Sequence, residues 1–215
     1  AKGRKIYHLN IGQPDIETPK AFFNAVRAFQ QPVLAYAPSP GIPDFVEAVR
    51  GYYDRLGIHL DEENILATTG GSEALEIVMA CILDDGDEIL VPEPFYPNYN
   101  TFIRVTGGSI RPIATRPEDG YHYADRDKIE AMINDRTRAI LVTNPGNPTG
   151  TVLTHEEMRL IADIAKEHNL FLVSDEVYRE FVYSDEPLAT MAEFEDVAEN
   201  VVIIDSVSKR FSSCG

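Results

Sequence analysis

The chain has 215 residues, of which 44% are hydrophobic and 25% are charged, a composition typical of a globular protein and not of a disordered segment. Its 19 Lys and Arg residues against 35 Asp and Glu residues give a formal net charge of −16, which disfavours nucleic acid and anionic membrane surfaces as partners. The sequence has no apolar run long enough to span a membrane, no signal-peptide pattern and no CxxC pair around Cys81 or Cys214, so we expect a cytoplasmic protein.

The first 60 residues do not follow a repeat of strands and helices. Proline and glycine punctuate residues 7–19, and short helical patterns follow near 19–30 and 43–56. We therefore expect residues 1–42 to form an extended arm and residues 43–215 to form one larger domain.

The remainder of the chain alternates apolar, β-branched segments with helical patterns. Strands are predicted at 65–68, 88–92, 109–115, 139–144, 170–175 and 201–206. Helices are predicted at 72–83, 97–105, 125–133 and 154–168. The last of them begins with a capping box, Thr154 and Glu157. The first is apolar nearly all round after its first turn, which predicts deep burial beside the sheet, with a second subunit as a further cover. This alternation predicts an α/β fold in which helices cover both faces of a mostly parallel sheet.

The segments that follow the predicted strands are unusually polar, and ligands of parallel α/β sheets bind at those strand ends. The segment TTGGSEA at 68–74 joins a predicted strand to a helix, where glycines and free backbone N–H groups suit an anion such as a phosphate. It matches neither the P-loop nor the dinucleotide fingerprint, and an ordinary glycine turn with Ser72 as N-cap explains it equally well.

Two further strand ends carry groups that can contact a ligand. In FLVSDEVY, Asp175 suits a cationic nitrogen and Tyr178 can hydrogen-bond the same ligand, although Asp175 could equally cap the next turn. The same segment resembles the magnesium-binding strand of nucleotide triphosphatases, but the chain has no P-loop. In TNPGNPTG, Asn144 and Asn147 could point into a cleft or stabilise their own turns.

The last strand end, DSVSK, places Ser206 three residues before Lys209. This S-x-x-K spacing occurs in serine β-lactamases, but the companion motifs S-D-N and K-T-G are missing. A lone lysine at such a position is usually a surface residue. We expect no metal site, because the five histidines are scattered without paired spacing.

The order of these motifs is more specific than any one of them. A glycine-rich turn, an aromatic pair, NPxNPTG, SDExY and SxSK each follow a successive strand. In that order they resemble the fold type I pyridoxal-phosphate enzymes, in particular the class I and II aminotransferases of the aspartate aminotransferase family. The resemblance extends to an IGxPD segment at 11–15 and a YxxxxG segment at 36–41, and it covers nearly the whole chain.

The resemblance implies a fold, a cofactor and an activity. The fold would be the large domain of the fold type I transferases, and the cofactor would be pyridoxal 5'-phosphate. The activity would be transfer of an amino group between an L-amino acid, with aspartate as a candidate, and a 2-oxo acid such as 2-oxoglutarate. In the family such enzymes act as homodimers.

The resemblance also implies roles for individual residues. Lys209 would form the Schiff base with the cofactor and move a proton, Asp175 would pair with the pyridine nitrogen, and Tyr96 would stack on the ring. Tyr178 and Asn147 would hydrogen-bond the ring's 3'-oxygen. The phosphate would be held by Gly71, Ser72, Glu73 and Ser206, and, across the dimer interface, by Tyr36. The substrate side would be lined by Gly12 and Asn147.

The sequence departs from the family pattern at its end. The pattern SKxFxxxGxR is matched by Lys209, Phe211 and Gly215, but its arginine would lie two residues further on. The final strand of the large domain and the small C-terminal domain, whose arginine grips the substrate carboxylate in the family, are also absent. We therefore expect a fragment of an enzyme about twice this length, and we expect residues 1–215 alone to be inactive. A C–S lyase of the same fold and a non-catalytic effector-binding module remain alternatives.

Overall fold

Five parallel strands form one sheet in the order β2-β1-β3-β4-β5. A computed structural model describes residues 5–7, 12–183 and 187–214. The strands are β1 Glu88–Glu93, β2 Ser109–Ala114, β3 Thr137–Thr143, β4 Phe171–Asp175 and β5 Val201–Ile204. The helices are α1 Lys20–Ala28, α2 Pro43–Asp54, α3 Gly71–Ile82, α4 Asn98–Arg104, α5 Arg126–Glu130, α6 His155–Glu167 and α7 Val207–Arg210. The predicted parallel α/β fold is therefore confirmed, with element ends close to those predicted.

Helices cover both faces of the sheet and create two apolar cores. Successive residues of a strand point to opposite faces, so Ile140 and Val142 of β3 pack with α5 and α6, whereas Ala139 and Leu141 pack with α3 and α4. The middle strands, buried on both faces, are nearly continuous runs of branched apolar residues for this reason.

The start of α6 has the predicted capping box. The backbone N–H of Glu157 donates to the Thr154 hydroxyl at 3.2 Å, and the Glu157 carboxylate accepts from the Thr154 N–H at 2.8 Å. Met158, Ile161 and Ala165 then lie buried against the sheet, which confirms the predicted apolar face.

The strand predicted at 65–68 is wrong, because this segment forms no strand. Its recorded backbone bond to another segment runs from the Ala67 N–H to the Pro40 carbonyl, and Leu66 is 58% exposed. A strand needs a ladder of hydrogen bonds with a neighbouring strand, and none of the described strands pairs with these residues.

The deep burial predicted for α3 holds for only one of its faces. Leu75 and Met79 are buried against the sheet, whereas Ile77 and Cys81 are exposed. A helix layered on a sheet can bury only the side that faces the sheet. In the part of the chain that the structure describes, nothing covers the outer side.

The arm is less buried than the rest of the chain. Helix α1 contains no buried residue, and its aromatic side chains Phe22 and Phe23 are exposed. The described arm is joined to the end of α7 by the Thr18 hydroxyl, which donates to the Ser212 carbonyl at 2.5 Å. Across the described residues, the helices are too short or too polar to traverse a lipid bilayer.

Candidate active site

The candidate site lies at the carboxyl ends of the strands. Thr143 is paired in register with Asp175, and Asp175 with Ile204, so β3, β4 and β5 end at the same level of the sheet. The segments that leave these strands therefore meet at one edge, together with the amino end of α3 and Gly12 of the arm.

Asp175, the last residue of β4, is a buried carboxylate. Only 4% of the residue is exposed. The Tyr99 hydroxyl donates to its Oδ2 at 2.6 Å and the Val177 N–H donates to its Oδ1 at 3.3 Å. Burial raises the pKa of Asp175 to about 6, although these two hydrogen bonds act in the opposite direction. Among the described residues no Lys, Arg or His forms an ion pair with it, so the site offers a buried anion to a cationic ligand.

Tyr99 is a site residue that the sequence did not single out. Its ring is buried, and its hydroxyl lies 2.8 Å from the Thr143 hydroxyl as well as contacting Asp175. Burial, followed by the Asp175 charge, raises the pKa of Tyr99, so the phenol remains a hydrogen-bond donor. The available signal was its position near the start of the predicted helix 97–105, three residues after Tyr96, which directly precedes that helix. The two rings meet edge to face at 5.4 Å.

Lys209, Gly12 and Tyr178 lie together, and Tyr178 is near Asp175. The Lys209 ammonium donates to the Gly12 carbonyl at 2.9 Å. A Cβ added at Gly12 would be 3.3 Å from the Tyr178 hydroxyl, so the arm packs closely against this tyrosine. Burial, and then the charge of Asp175, raise the pKa of Tyr178. An amine and a phenol donor therefore lie together at the edge of the sheet where Asp175 ends β4.

The amino end of α3 forms the other end of the site. In the ranges that the structure describes, no protein acceptor is recorded for the backbone N–H groups of Gly71, Ser72 and Glu73. The preceding Gly70 has φ +149°, which other residues rarely adopt. A Cβ added at Gly71 would be 3.9 Å from the Ser206 Cβ, so the Ser206 hydroxyl is close to these donors. The arrangement suits an anion such as a phosphate.

The side chain of Glu73 is turned back toward the preceding turn. It accepts hydrogen bonds from the Thr69 N–H at 2.6 Å and the Thr69 hydroxyl at 2.8 Å, and these bonds lower its pKa. Its carboxylate thus stabilises the start of α3, and only its backbone N–H is left for a ligand.

In the described residues, two predicted site residues, Asn147 and Tyr36, form no hydrogen bond or ion pair with the groups described above. Asn147 is half-buried and lines a cavity of about 30 Å³ with Phe95 and Thr143, the latter a neighbour of Tyr99. Tyr36 is fully exposed. The cofactor roles of both residues stay predictions. Ile11 and Gly215, which belong to two of the family motifs, lie outside the described residues.

The geometry does not support the other chemistries suggested by the sequence. Glu176 is fully buried, accepts from the Ser174 and Thr190 hydroxyls and pairs with Arg179 at 3.4 Å, so it is not available to a magnesium ion. Ser206 caps α7 by accepting from the Ser208 N–H, while Lys209 is directed to the arm, so these two side chains do not form a nucleophile and base pair. Over the described ranges, no group of three or more His, Cys, Asp or Glu could hold a metal ion.

A parallel sheet with a lysine after one strand, a buried carboxylate at the end of the neighbouring strand and a helix amino terminus for an anion is the large domain of the fold type I pyridoxal-phosphate transferases. The family model described as aminotransferase class I and II matches residues 4–215, and the chain belongs to that family. Enzymes of this family use pyridoxal 5'-phosphate.

Curated relatives and solved structures agree with this assignment. A probable aspartate/prephenate aminotransferase of Aquifex aeolicus is 33% identical over an alignment of 218 positions, which covers 100% of this chain and 55% of the relative. An aspartate aminotransferase of Pyrococcus horikoshii is 34% identical over an alignment of 217 positions, which again covers 100% of this chain and 55% of the relative. The chain thus spans about half the length of these relatives.

The fold is similar to that of solved aminotransferases. An aspartate aminotransferase from Thermus thermophilus with maleate superimposes with a TM-score of 0.88 at 34% identity, over 95% of this chain and 53% of that chain. An aromatic aminotransferase from Pyrococcus horikoshii superimposes with a TM-score of 0.88 at 31% identity, over 94% of this chain and 55% of that chain.

The residues present fit the cofactor of the family. Within the described ranges the buried Asp175 has no cationic partner, and a protonated pyridine nitrogen would supply one. The three N–H donors of α3 and the Ser206 hydroxyl match a phosphate, and Lys209 supplies the amine that an aldehyde requires.

Proposed function

We propose that this chain is the cofactor-binding part of an aminotransferase that moves an amino group between an L-amino acid and a 2-oxo acid. The observation that carries the proposal is Asp175, a buried carboxylate on the same edge of the sheet as Lys209 and the free N–H groups of α3. Residues 1–42 would be the arm and residues 43–215 the large domain.

When bound, pyridoxal phosphate supplies an aldehyde that bonds to amines and a ring that accepts an electron pair. The role of Asp175 is to keep a proton on the pyridine nitrogen. With a pKa of about 6 it is mostly ionised at neutral pH, and a cationic partner would favour the ionised form further. Tyr99 holds the carboxylate in place from the side that faces the core.

Lys209 supplies the amine and moves a proton at the reacting carbon of the substrate. Tyr178 donates a hydrogen bond to the ring oxygen, with Asn147 as its proposed companion, and Tyr96 covers the ring face. Gly71, Ser72, Glu73 and Ser206 hold the phosphate through N–H and hydroxyl donors. Gly12 contacts both Lys209 and Tyr178, which supports its place, with Asn147, on the substrate side.

The names of the relatives guide the choice of substrate. Because proteins named aspartate and aspartate/prephenate aminotransferase are about one-third identical to this chain, we take aspartate as the amino donor and 2-oxoglutarate as the acceptor to be tested first.

A homodimer in the cytoplasm is part of the same proposal. The exposed aromatic residues of α1 and the fully exposed Tyr36 support a subunit interface that includes the arm, with Tyr36 reaching the partner's phosphate site. The free thiols Cys81 and Cys214 are consistent with a reducing compartment.

Borohydride trapping tests the proposal on the full-length protein. After incubation with pyridoxal phosphate, peptide mapping should find the pyridoxyl group on Lys209, and the Lys209→Ala variant should not capture it. The exposed Lys166, which pairs with Asp196 at 2.9 Å, serves as an internal control for nonspecific reaction. A label confined to Lys166 or Lys128 would contradict the assignment.

A substrate assay separates the proposed reaction from other reactions of the same fold. Aspartate with 2-oxoglutarate should yield oxaloacetate and glutamate in the full-length protein. Pyruvate and ammonia released from cystathionine without an acceptor would instead indicate a C–S lyase, and capture of pyridoxal phosphate without turnover of either substrate would indicate a binding module.

A further inference from the structure

The turn that carries Lys209 is closed by an ion pair. Arg210, the next residue, donates from Nη2 to both carboxylate oxygens of Asp205, at 2.9 and 2.8 Å. The Ser206 N–H donates to Asp205 Oδ1 at 2.7 Å. The side chains of Arg210 and Asp205 are 13% and 19% exposed, so the pair is largely shielded from water, unlike an ordinary surface salt bridge.

Helix α2 holds this ion pair from the opposite side. The buried Tyr53 donates its hydroxyl to Asp205 Oδ2 at 3.1 Å. The ring centroid of Tyr52 lies 4.2 Å from the Arg210 guanidinium, within the range of a cation–π contact. The two tyrosine rings meet edge to face at 5.3 Å, which fixes them relative to each other. We call these four residues, Tyr52, Tyr53, Asp205 and Arg210, the clamp.

The clamp controls the direction of Lys209 for a geometric reason. Helix α7 has four residues, too few to be stable by itself, so its rotation depends on tertiary contacts. Consecutive residues of a helix point about 100° apart. Fixing the Arg210 side chain on the α2 side therefore sends the Lys209 side chain to another side, where its ammonium reaches the Gly12 carbonyl.

We propose that Arg210 is a positioning residue that, through Asp205 and Tyr52, aims the Lys209 amine into the site. This inference rests on the proposed function of Lys209. The clamp thereby raises the rate at which Lys209 captures an aldehyde, because a reacting group displaced by about 1 Å can lose about 100-fold in rate.

The test measures capture of pyridoxal phosphate by the cofactor-free full-length protein. Borohydride quenching at timed intervals and peptide mapping give the ratio of pyridoxyl label on Lys209 to that on Lys166 in the same molecules. Arg210→Met should lower this ratio at least about tenfold. Arg210→Lys keeps the charge but loses the planar guanidinium that lies over the Tyr52 ring, so it should recover only part of the loss.

Matched variants show whether the effect passes through the clamp. Arg126→Met removes an arginine that also makes two ion pairs, with Glu130 and Glu167, and it should leave the ratio unchanged. Asp205→Asn should lower the ratio, and combining it with Arg210→Met should add little, because both changes open the same contact.

The outcomes separate this inference from the proposed function. If the unaltered protein does not label Lys209, the proposed function fails and the inference fails with it. If the unaltered protein labels Lys209 and the Arg210→Met variant labels Lys209 equally fast, only the inference is overturned. Should Arg210→Met not fold, as judged by circular dichroism, Arg210→Lys decides: a ratio within about twofold of the unaltered protein overturns the inference, and a larger loss supports it.

Discussion

Asp175→Asn is expected to stabilise the cofactor-free protein and to weaken the chemistry that we propose for it. Burial at the end of β4 raises the pKa of Asp175 from its ordinary value of 3.8 to about 6. At neutral pH the folded chain therefore holds an anion where its surroundings disfavour one. Asparagine has nearly the same shape, carries no charge and can still accept the Tyr99 hydrogen bond.

The size of the effect follows from the two pKa values. Between them the folded state binds more protons than the unfolded state, so the free energy of unfolding falls as the pH rises from about 4 to 6. The folded and unfolded pKa values differ by about 2 pH units, and each unit corresponds to about 1.4 kcal/mol. The ionised Asp175 therefore lowers the free energy of unfolding by about 3 kcal/mol above about pH 7. About half of this cost remains at pH 5, where much of the folded-state carboxyl is protonated.

Urea unfolding of the cofactor-free full-length protein measures this difference. The free energy of unfolding of Asp175→Asn should exceed that of the unaltered protein by about 3 kcal/mol at pH 8 and by about half as much at pH 5. Asp119→Asn, at an exposed position, is the control for loss of a charge and should change little. A variant that is less stable at pH 8, or an equal difference at both pH values, would refute the reasoning.

The same variant should lose catalysis. In single-turnover kinetics with a saturating amino acid, we expect a loss of at least about 100-fold, since a neutral amide no longer favours the protonated pyridine nitrogen. A rate within about threefold of the unaltered protein would be incompatible with this role for Asp175.

Two further substitutions test contacts around the site. Tyr99→Phe removes the hydrogen bond that lowers the pKa of Asp175, so that pKa should rise above about 6, as a carboxyl NMR titration would detect; an unchanged pKa would contradict the contact. Asn144→Ala leaves the buried N–H of Leu153 and carbonyl of Ala189 without their 3.0 Å partners, which should cost about 2 to 4 kcal/mol in urea unfolding at pH 7; a loss below about 1 kcal/mol would contradict it.

The sheet could be predicted from the sequence because its strands are buried on both faces. Such strands require runs of branched apolar residues, and these runs predicted β1 to β5 to within a few residues. The segment 65–68 has a similar pattern and forms no strand, since pairing depends on a neighbour that a local pattern cannot specify. For the same reason the apolar character of α3 did not reveal that one side of it is exposed.

The candidate site was predictable only in part. Residues at or shortly after strand ends, such as Asp175 and Lys209, could be found by position, because the carboxyl ends of parallel strands share one edge. The partners that hold them could not be found in this way. Tyr99 reaches Asp175 across 76 positions and Tyr53 reaches Asp205 across 152, and such contacts follow from tertiary packing and not from local spacing.

The contact between Lys209 and the Gly12 carbonyl joins residues 197 positions apart, and this separation has a consequence for synthesis of the protein. At roughly 5 to 20 residues per second, about 10 to 40 seconds pass between translation of the first residue and of the second. During that interval the nascent chain gains the rest of the arm, then the α3 donors and later Asp175, but it lacks the amine that captures an aldehyde. Covalent attachment of the cofactor to Lys209 must therefore follow synthesis of β5, which precedes Lys209 in the chain.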